Sequence, residues 1–137
     1  MKLFLDTNVV LDFLAERDPF FEDASVIFDM WRLGMVKISF SALTVVNCAY
    51  ILRKRFDNQV MLDKVNWMCQ NFEITPIEKS CIATAAQMEP HDIEDAVQLV
   101  SSRSCYPDVI ITRDQAGFAD FGVKLMTPSE FVESCKQ

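Results

Sequence analysis

Three aspartates sit where a carboxylate can do chemistry. Asp6 ends the apolar run Lys2-Leu3-Phe4-Leu5, Asp114 follows Val109-Ile110-Ile111-Thr112, and Asp95 lies three residues after Asp92, a natural helix cap. In open α/β sheets ligands gather outside the carboxyl ends of the strands, which directs Asp6 and Asp114 into one crevice that Asp95 can join. Three carboxylates roughly 5 Å apart repel by about 3 kcal/mol per pair at an effective dielectric near ~20, a cost that a bound Mg2+ or Mn2+ removes. Each acid taken alone has a simpler explanation. Asp92 and Asp95 are spaced as N-cap and N3, where free N–H groups and the helix dipole favour carboxylates, and an aspartate after a strand often only forms a turn. The constellation, not any one member, points to a cation.

The elements that must position these acids alternate along the chain. The first strand, Lys2 to Leu5, is followed by helical spacing at Val9, Val10, Phe13 and Leu14. After a break at Asp18-Pro19 the spacing resumes at Ala24, Ile27, Phe28 and Trp31 and stops at Gly34. Val36 to Phe40 predicts a strand, Ser41 a cap, and Leu43 to Phe56 a helix with Arg53-Lys54-Arg55 in its last turn. A helix over Val60 to Cys69, a strand at Phe72-Glu73-Ile74-Thr75 and a helix from Glu78 to Met88 follow. Asp92 then caps a helix through Ala96, Val97, Leu99 and Val100, and Val109 to Thr112 is the strongest central strand. Val123 to Met126 makes a last short strand, and Thr127-Pro128-Ser129-Glu130 is a capping box opening a terminal helix. Such alternation implies a mostly parallel sheet covered on both faces.

Composition sets the class. With 137 residues, 50% of them hydrophobic and 24% charged, the chain is read as one domain over residues 1–137. No apolar run approaches the ~18 residues of a membrane span, so the expectation is a cytoplasmic protein without membrane association. Five cysteines without a CxxC pair and one histidine exclude a zinc-finger pattern and predict reduced thiols. The net charge of −7 argues against a broad basic surface, so any contact with nucleic acid relies on local cations.

Phe4-Leu5-Asp6-Thr7-Asn8-Val9-Val10-Leu11-Asp12, Asp92-Ile93-Glu94-Asp95-Ala96 and Ile110-Ile111-Thr112-Arg113-Asp114, in that order, resemble the PIN-domain family in its VapC-like toxin branch. The resemblance implies a three-layer α/β/α sandwich around a sheet of four to five strands. It also implies a Mg2+- or Mn2+-dependent endoribonuclease, many of whose small members are toxins held by an antitoxin protein. Carried onto this chain, Asp6 is the central metal ligand, Asp95 and Asp114 the other acids, Asn8 and Thr112 orienting neighbours, with no cofactor beyond the metal. The pattern expects a glutamate on the helix after the second strand, where this chain has Asn47. An amide can ligate Mg2+ or hold a water but adds no charge, and a second reading follows: a catalytically degenerate module that binds RNA or protein.

Arg113, beside Asp114, is read as a phosphate contact, or else as neutralising the acidic crevice. Arg53-Lys54-Arg55 can touch an RNA backbone, although cations are favoured in a last helical turn anyway. His91 is read as a solvated loop residue, and Phe20, Phe21, Phe28 and Trp31 as mostly core, any exposed remainder suiting a partner surface. A phospho-signalling receiver also sets acids at strand ends, but Asp6-Thr7-Asn8 lacks its adjacent acidic pair and no mid-chain strand ends in aspartate. A homodimer is expected, because pairing can bring basic residues of a second copy near the crevice.

Overall fold

The computed structural model describes residues 1–118 and 122–136. Five strands form one sheet: β1 (Lys2–Leu5), β2 (Lys37–Ser41), β3 (Glu73–Thr75), β4 (Val109–Ile111) and β5 (Leu125–Met126). Their order is β3-β2-β1-β4-β5 and every pairing is parallel, firmer than the mostly parallel sheet expected. The chain builds outward from β1 through β2 to β3, then returns to place β4 on the other flank of β1. That reversal opens a crevice beyond the carboxyl ends of β1 and β4.

Between the strands lie α1 (Thr7–Leu14), α2 (Phe21–Arg32), α3 (Ala42–Leu52), α4 (Asn58–Asn71), α5 (Lys79–Gln87), α6 (Ile93–Ser102) and the closing α7 (Pro128–Ser134). The period of two along the strands divides the core. Leu3, Leu5, Ile38, Phe40, Val109 and Ile111 face one side, packed with Val9, Ile27, Phe28, Met68 and Phe131 from the helices there. Phe4 and Ile110 face the other side and meet Leu99 of α6 and Phe118. Cys81 and Ala85 of α5 join Ala96 and Val97 of α6 beneath that layer.

The local signals act as physics requires. Ser41 accepts the N–H of Thr44 at 3.2 Å, Asp92 that of Asp95 at 3.1 Å, and Thr127 that of Glu130 at 3.0 Å in a full capping box. Gly34, at φ 77°, follows the C-cap of α2 in the left-handed conformation that glycine adopts without strain. Helix α4 runs beyond the expected Val60–Cys69 because Asp57 caps it. Helix α3 stops at Leu52 instead of Phe56. Its chain tightens as Lys54 and Arg55 donate to carbonyls three residues back, at 3.1 and 3.0 Å, leaving the basic triplet in a turn. Phe28 is core, with Phe13 stacked on it at 4.1 Å and Phe72 edge-on at 5.7 Å. Phe20 stays 40% exposed, so the aromatic stretch is only in part interior.

All five cysteines are free, three of them buried, and burial pushes the Cys48 thiol up to about 12. No helix among the described residues is long and apolar enough to cross a membrane.

Candidate metal centre

Asp6 leaves β1 as its last hydrogen-bonded position, its N–H donating to Ile111 of β4 at 3.0 Å, and then caps α1. Both carboxylate oxygens are occupied. Oδ1 accepts from Thr7 N at 2.7 Å and Gln98 Nε2 at 3.1 Å, while Oδ2 accepts from Thr112 Oγ1 at 2.8 Å. The side chain is thereby fixed at 3% exposure. Burial raises its pKa, and these three donors and the neighbouring Asp114 follow in weight, the donors working toward the ionised form and Asp114 against it.

A hydroxyl relay supports the support. Gln98 gives its N–H to Asp6, so its Oε1 must accept, and Thr44 Oγ1 donates to it at 3.1 Å. With its proton committed there, Thr44 accepts from Thr7 Oγ1 at 2.8 Å. No buried side-chain nitrogen or oxygen among the described residues lacks a partner. Thr112 has a second task. Its Oγ1 accepts the backbone N–H of Asp114 at 3.0 Å, tying the turn that carries Asp114 to the carboxylate of Asp6.

One cleft gathers the acids from three elements: Asp6, Asp92, Glu94, Asp95 and Asp114 line it with Thr7, Asn8, Asn47, Tyr50 and Ile51. These include the expected Asp6, Asp95, Asp114, Asn8, Asn47 and Asp92, while Thr112 stands behind Asp6. None of the five acids forms a salt bridge among the described residues. Asp95 shows the result. Burial first, then the charges of Asp6, Asp92, Asp114 and Glu94, push its carboxyl up to about 7. Its Oδ2 occupies the space that a Cβ on Gly117 would fill, with Cγ only 2.7 Å from that point, so glycine at 117 gives this carboxylate its place.

The donor set is entirely hard oxygen, carboxylate and amide, and carries uncompensated negative charge, which suits Mg2+ or Mn2+. Among the described residues no three His, Cys, Asp or Glu side chains make a closed metal-binding group.

Arg113 is placed elsewhere. Its Nε lies 2.8 Å from Asp12 Oδ2 and its guanidinium 3.7 Å over the Phe20 ring, outside the residues that line the cleft. Arg17 Nε donates to Asp12 Oδ1 at 2.9 Å, so the fully buried Asp12 holds two cations. The expected phosphate contact is thus engaged in an internal ion pair that joins α1 to the turn after β4. In the turn after α3, Arg53 and Lys54 lie 4.2 and 4.8 Å from the ring centre of Tyr50, itself on the cleft wall.

Sequence reasoning passed over Gln98, Thr44, Glu94, Tyr50 and Gly117. Gln98 had a signal, a polar residue inside the apolar run Ala96-Val97-Gln98-Leu99 and one turn after Asp95. Gly117 had none, since its partner is 22 residues away in sequence and close only in the fold.

The sequence pattern of the PIN domain matches residues 2–116. A toxin–antitoxin complex from Klebsiella pneumoniae is similar in structure, with TM-score 0.65 and 22% identity over 92% of this chain and 97% of that one. VapC20 of Mycobacterium tuberculosis, described as a toxin cleaving the sarcin–ricin loop, gives 0.69 and 12% over 88% and 95%. VapBC2 from Rickettsia felis, bound to a DNA fragment from its promoter, gives 0.65 and 12% over 93% and 98%. No curated protein sequence matches the chain.

Proposed function

The chain belongs to the PIN domain family, and on that premise we propose that it is a Mg2+- or Mn2+-dependent endoribonuclease, the toxin of a toxin–antitoxin pair. The observation that carries this reading is the cleft of five acids, none in a salt bridge among the described residues, beside a core where Asp12 receives two arginines. A fold that can neutralise a buried aspartate and gives these five acids no salt bridge among the described residues is furnished for a cation that arrives from solution.

Asp6, with Asp95 and Asp114, would hold the ion, and Asn47 or a water on it would complete the oxygen set. A divalent ion there lowers the pKa of a coordinated water and offsets charge growing on the leaving oxygen of a phosphodiester. The chain does the rest. Thr7, Gln98 and Thr112 keep Asp6 in one orientation and hold it toward the ionised form, and Thr112 sets the distance of the Asp114 turn from it. Tyr50, 53% exposed on the cleft wall, seats the cations of Arg53 and Lys54 over its ring. Arg53 and Lys54 meet the backbone of a single strand entering over α3. The likeness to toxin–antitoxin complexes supports an antitoxin partner, and a homodimer acting in the cytoplasm belongs to the same proposal.

Asn47 favours one competing reading, a module that binds RNA or protein without cutting. Calorimetric titration with Mn2+ of the native protein and of Asp6→Asn separates the two. The nuclease reading expects binding that weakens at least tenfold in the variant, together with cleavage of RNA that the variant lacks. Absence of binding at millimolar Mn2+ in both would give the field to the binding module.

A further inference from the structure

Resting on the metal-site reading above, we propose that Glu94 supplies from α6 the negative charge that Asn47 withholds on α3. Asn47 Nδ2 donates to Glu94 Oε1 at 2.9 Å, a bond between residues 47 positions apart that bridges α3 and α6. Both side chains line the cleft with Asp6, Asp95 and Asp114. A glutamate at 47 would bring one carboxylate from α3. Here an amide stands at 47 and the carboxylate reaches in from the opposite helix, so the charge has crossed the cleft by the length of one hydrogen bond.

The alternative for Glu94 is the α6 dipole, since it lies in the first turn of that helix. The dipole explains an acid at this position and leaves the bond to Asn47 unexplained. Asn47 acquires a role as well. As a donor it holds the Glu94 carboxylate against the repulsion of the other acids, and so it is a positioning residue and not a vestige.

The test is Mn2+ affinity by calorimetry, with Asp6→Asn as the reference for the metal site itself. Glu94→Gln is expected to weaken binding about tenfold and Asn47→Ala severalfold, the range seen when groups around a metal site are removed. The double variant Asn47→Glu with Glu94→Gln reverses donor and acceptor, and is expected to bind within about twofold of the native protein. Because Glu94 is exposed, the metal-free melting temperature of Glu94→Gln should stay within about 2 °C of native. If Asp6→Asn abolishes binding while Glu94→Gln binds like the native protein, the metal site stands and this inference falls. A double variant as weak as Glu94→Gln alone would overturn the exchange of charge between the helices. Equal, negligible binding by native protein and Asp6→Asn would remove the metal reading and this inference with it.

Discussion

Gln98 Nε2 reaches Asp6 Oδ1 at 3.1 Å across 92 positions of sequence. Neither residue can change alone without stranding the other. Gln98→Leu should leave Asp6 short of one donor and the Thr44 hydroxyl without its acceptor, both inside the core. The expected loss is about 1–3 kcal/mol of unfolding free energy in urea, with Mn2+ affinity down roughly tenfold. Native affinity in a folded Gln98→Leu protein would show that Thr7 and Thr112 suffice to orient Asp6.

Arg113 offers a sharper contrast, because its two readings predict opposite measurements. Bound to Asp12 and stacked on Phe20, it should matter for stability. Arg113→Met leaves the buried Asp12 with Arg17 alone and is expected to cost about 2 kcal/mol, with RNA affinity of the folded variant unchanged. A phosphate contact would give the reverse, native stability with weakened RNA binding.

The acids of the cleft make metal-free stability depend on pH. Burial, then the surrounding carboxylates, raise Asp95 from the ordinary 3.8 to about 7, and Asp6 and Glu94 shift in the same direction. The folded state therefore holds these protons more tightly than the unfolded chain. Their contribution is fully present below the unfolded pKa and is lost as pH rises through the folded one. In chelator, the melting temperature should fall by something of order 5 °C from pH 5.5 to 8.5. Asp95→Asn should flatten the curve most, and saturating Mn2+ should flatten it in the native protein. A metal-free curve with no slope in that window would contradict the crowding of charge.

The cations beside Tyr50 are tested by salt. Arg53→Gln with Lys54→Gln should reduce the dependence of log affinity on log salt for single-stranded RNA by about 1.4, two phosphate contacts at ~0.7 each. Tyr50→Ala removes the ring that seats both cations and should lower RNA affinity and the salt slope in the same direction. An unchanged slope in the double variant would send the strand along another path.

Gly117→Ala places a methyl group where the Asp95 carboxylate lies. Mn2+ affinity should drop about tenfold in that variant, and combining it with Asp95→Ala should add nothing further. Additive losses would mean that alanine at 117 disturbs something other than Asp95.

Much of the frame was legible because its signals are local. Caps at Ser41, Asp92 and Thr127 act within one helical turn, and the apolar runs at Leu3 and Val109 announce buried strands by composition alone. The meeting of Asp6 with Asp114 was legible too, since both follow strands of a parallel sheet. What stayed hidden depends on side-chain direction. Arg113 is next to Asp114 in sequence, yet neighbours leaving a strand point to opposite sides, and its guanidinium turns to Asp12 on α1. The amide at Asn47 read as a lost charge because its compensation, Glu94, is on another helix and is visible only once α3 and α6 stand on either side of the cleft.

The reach of Asp6 toward distant partners also sets a clock. Thr7 is its next residue, but Gln98 and Thr112 follow 92 and 106 positions later, which at the pace of a ribosome is roughly 5–20 s. During that interval the nascent chain carries a lone, solvated aspartate. Synthesis halted before Gln98 yields fragments in which Asp6 has neither of these donors, so its support is finished only after both residues have been made.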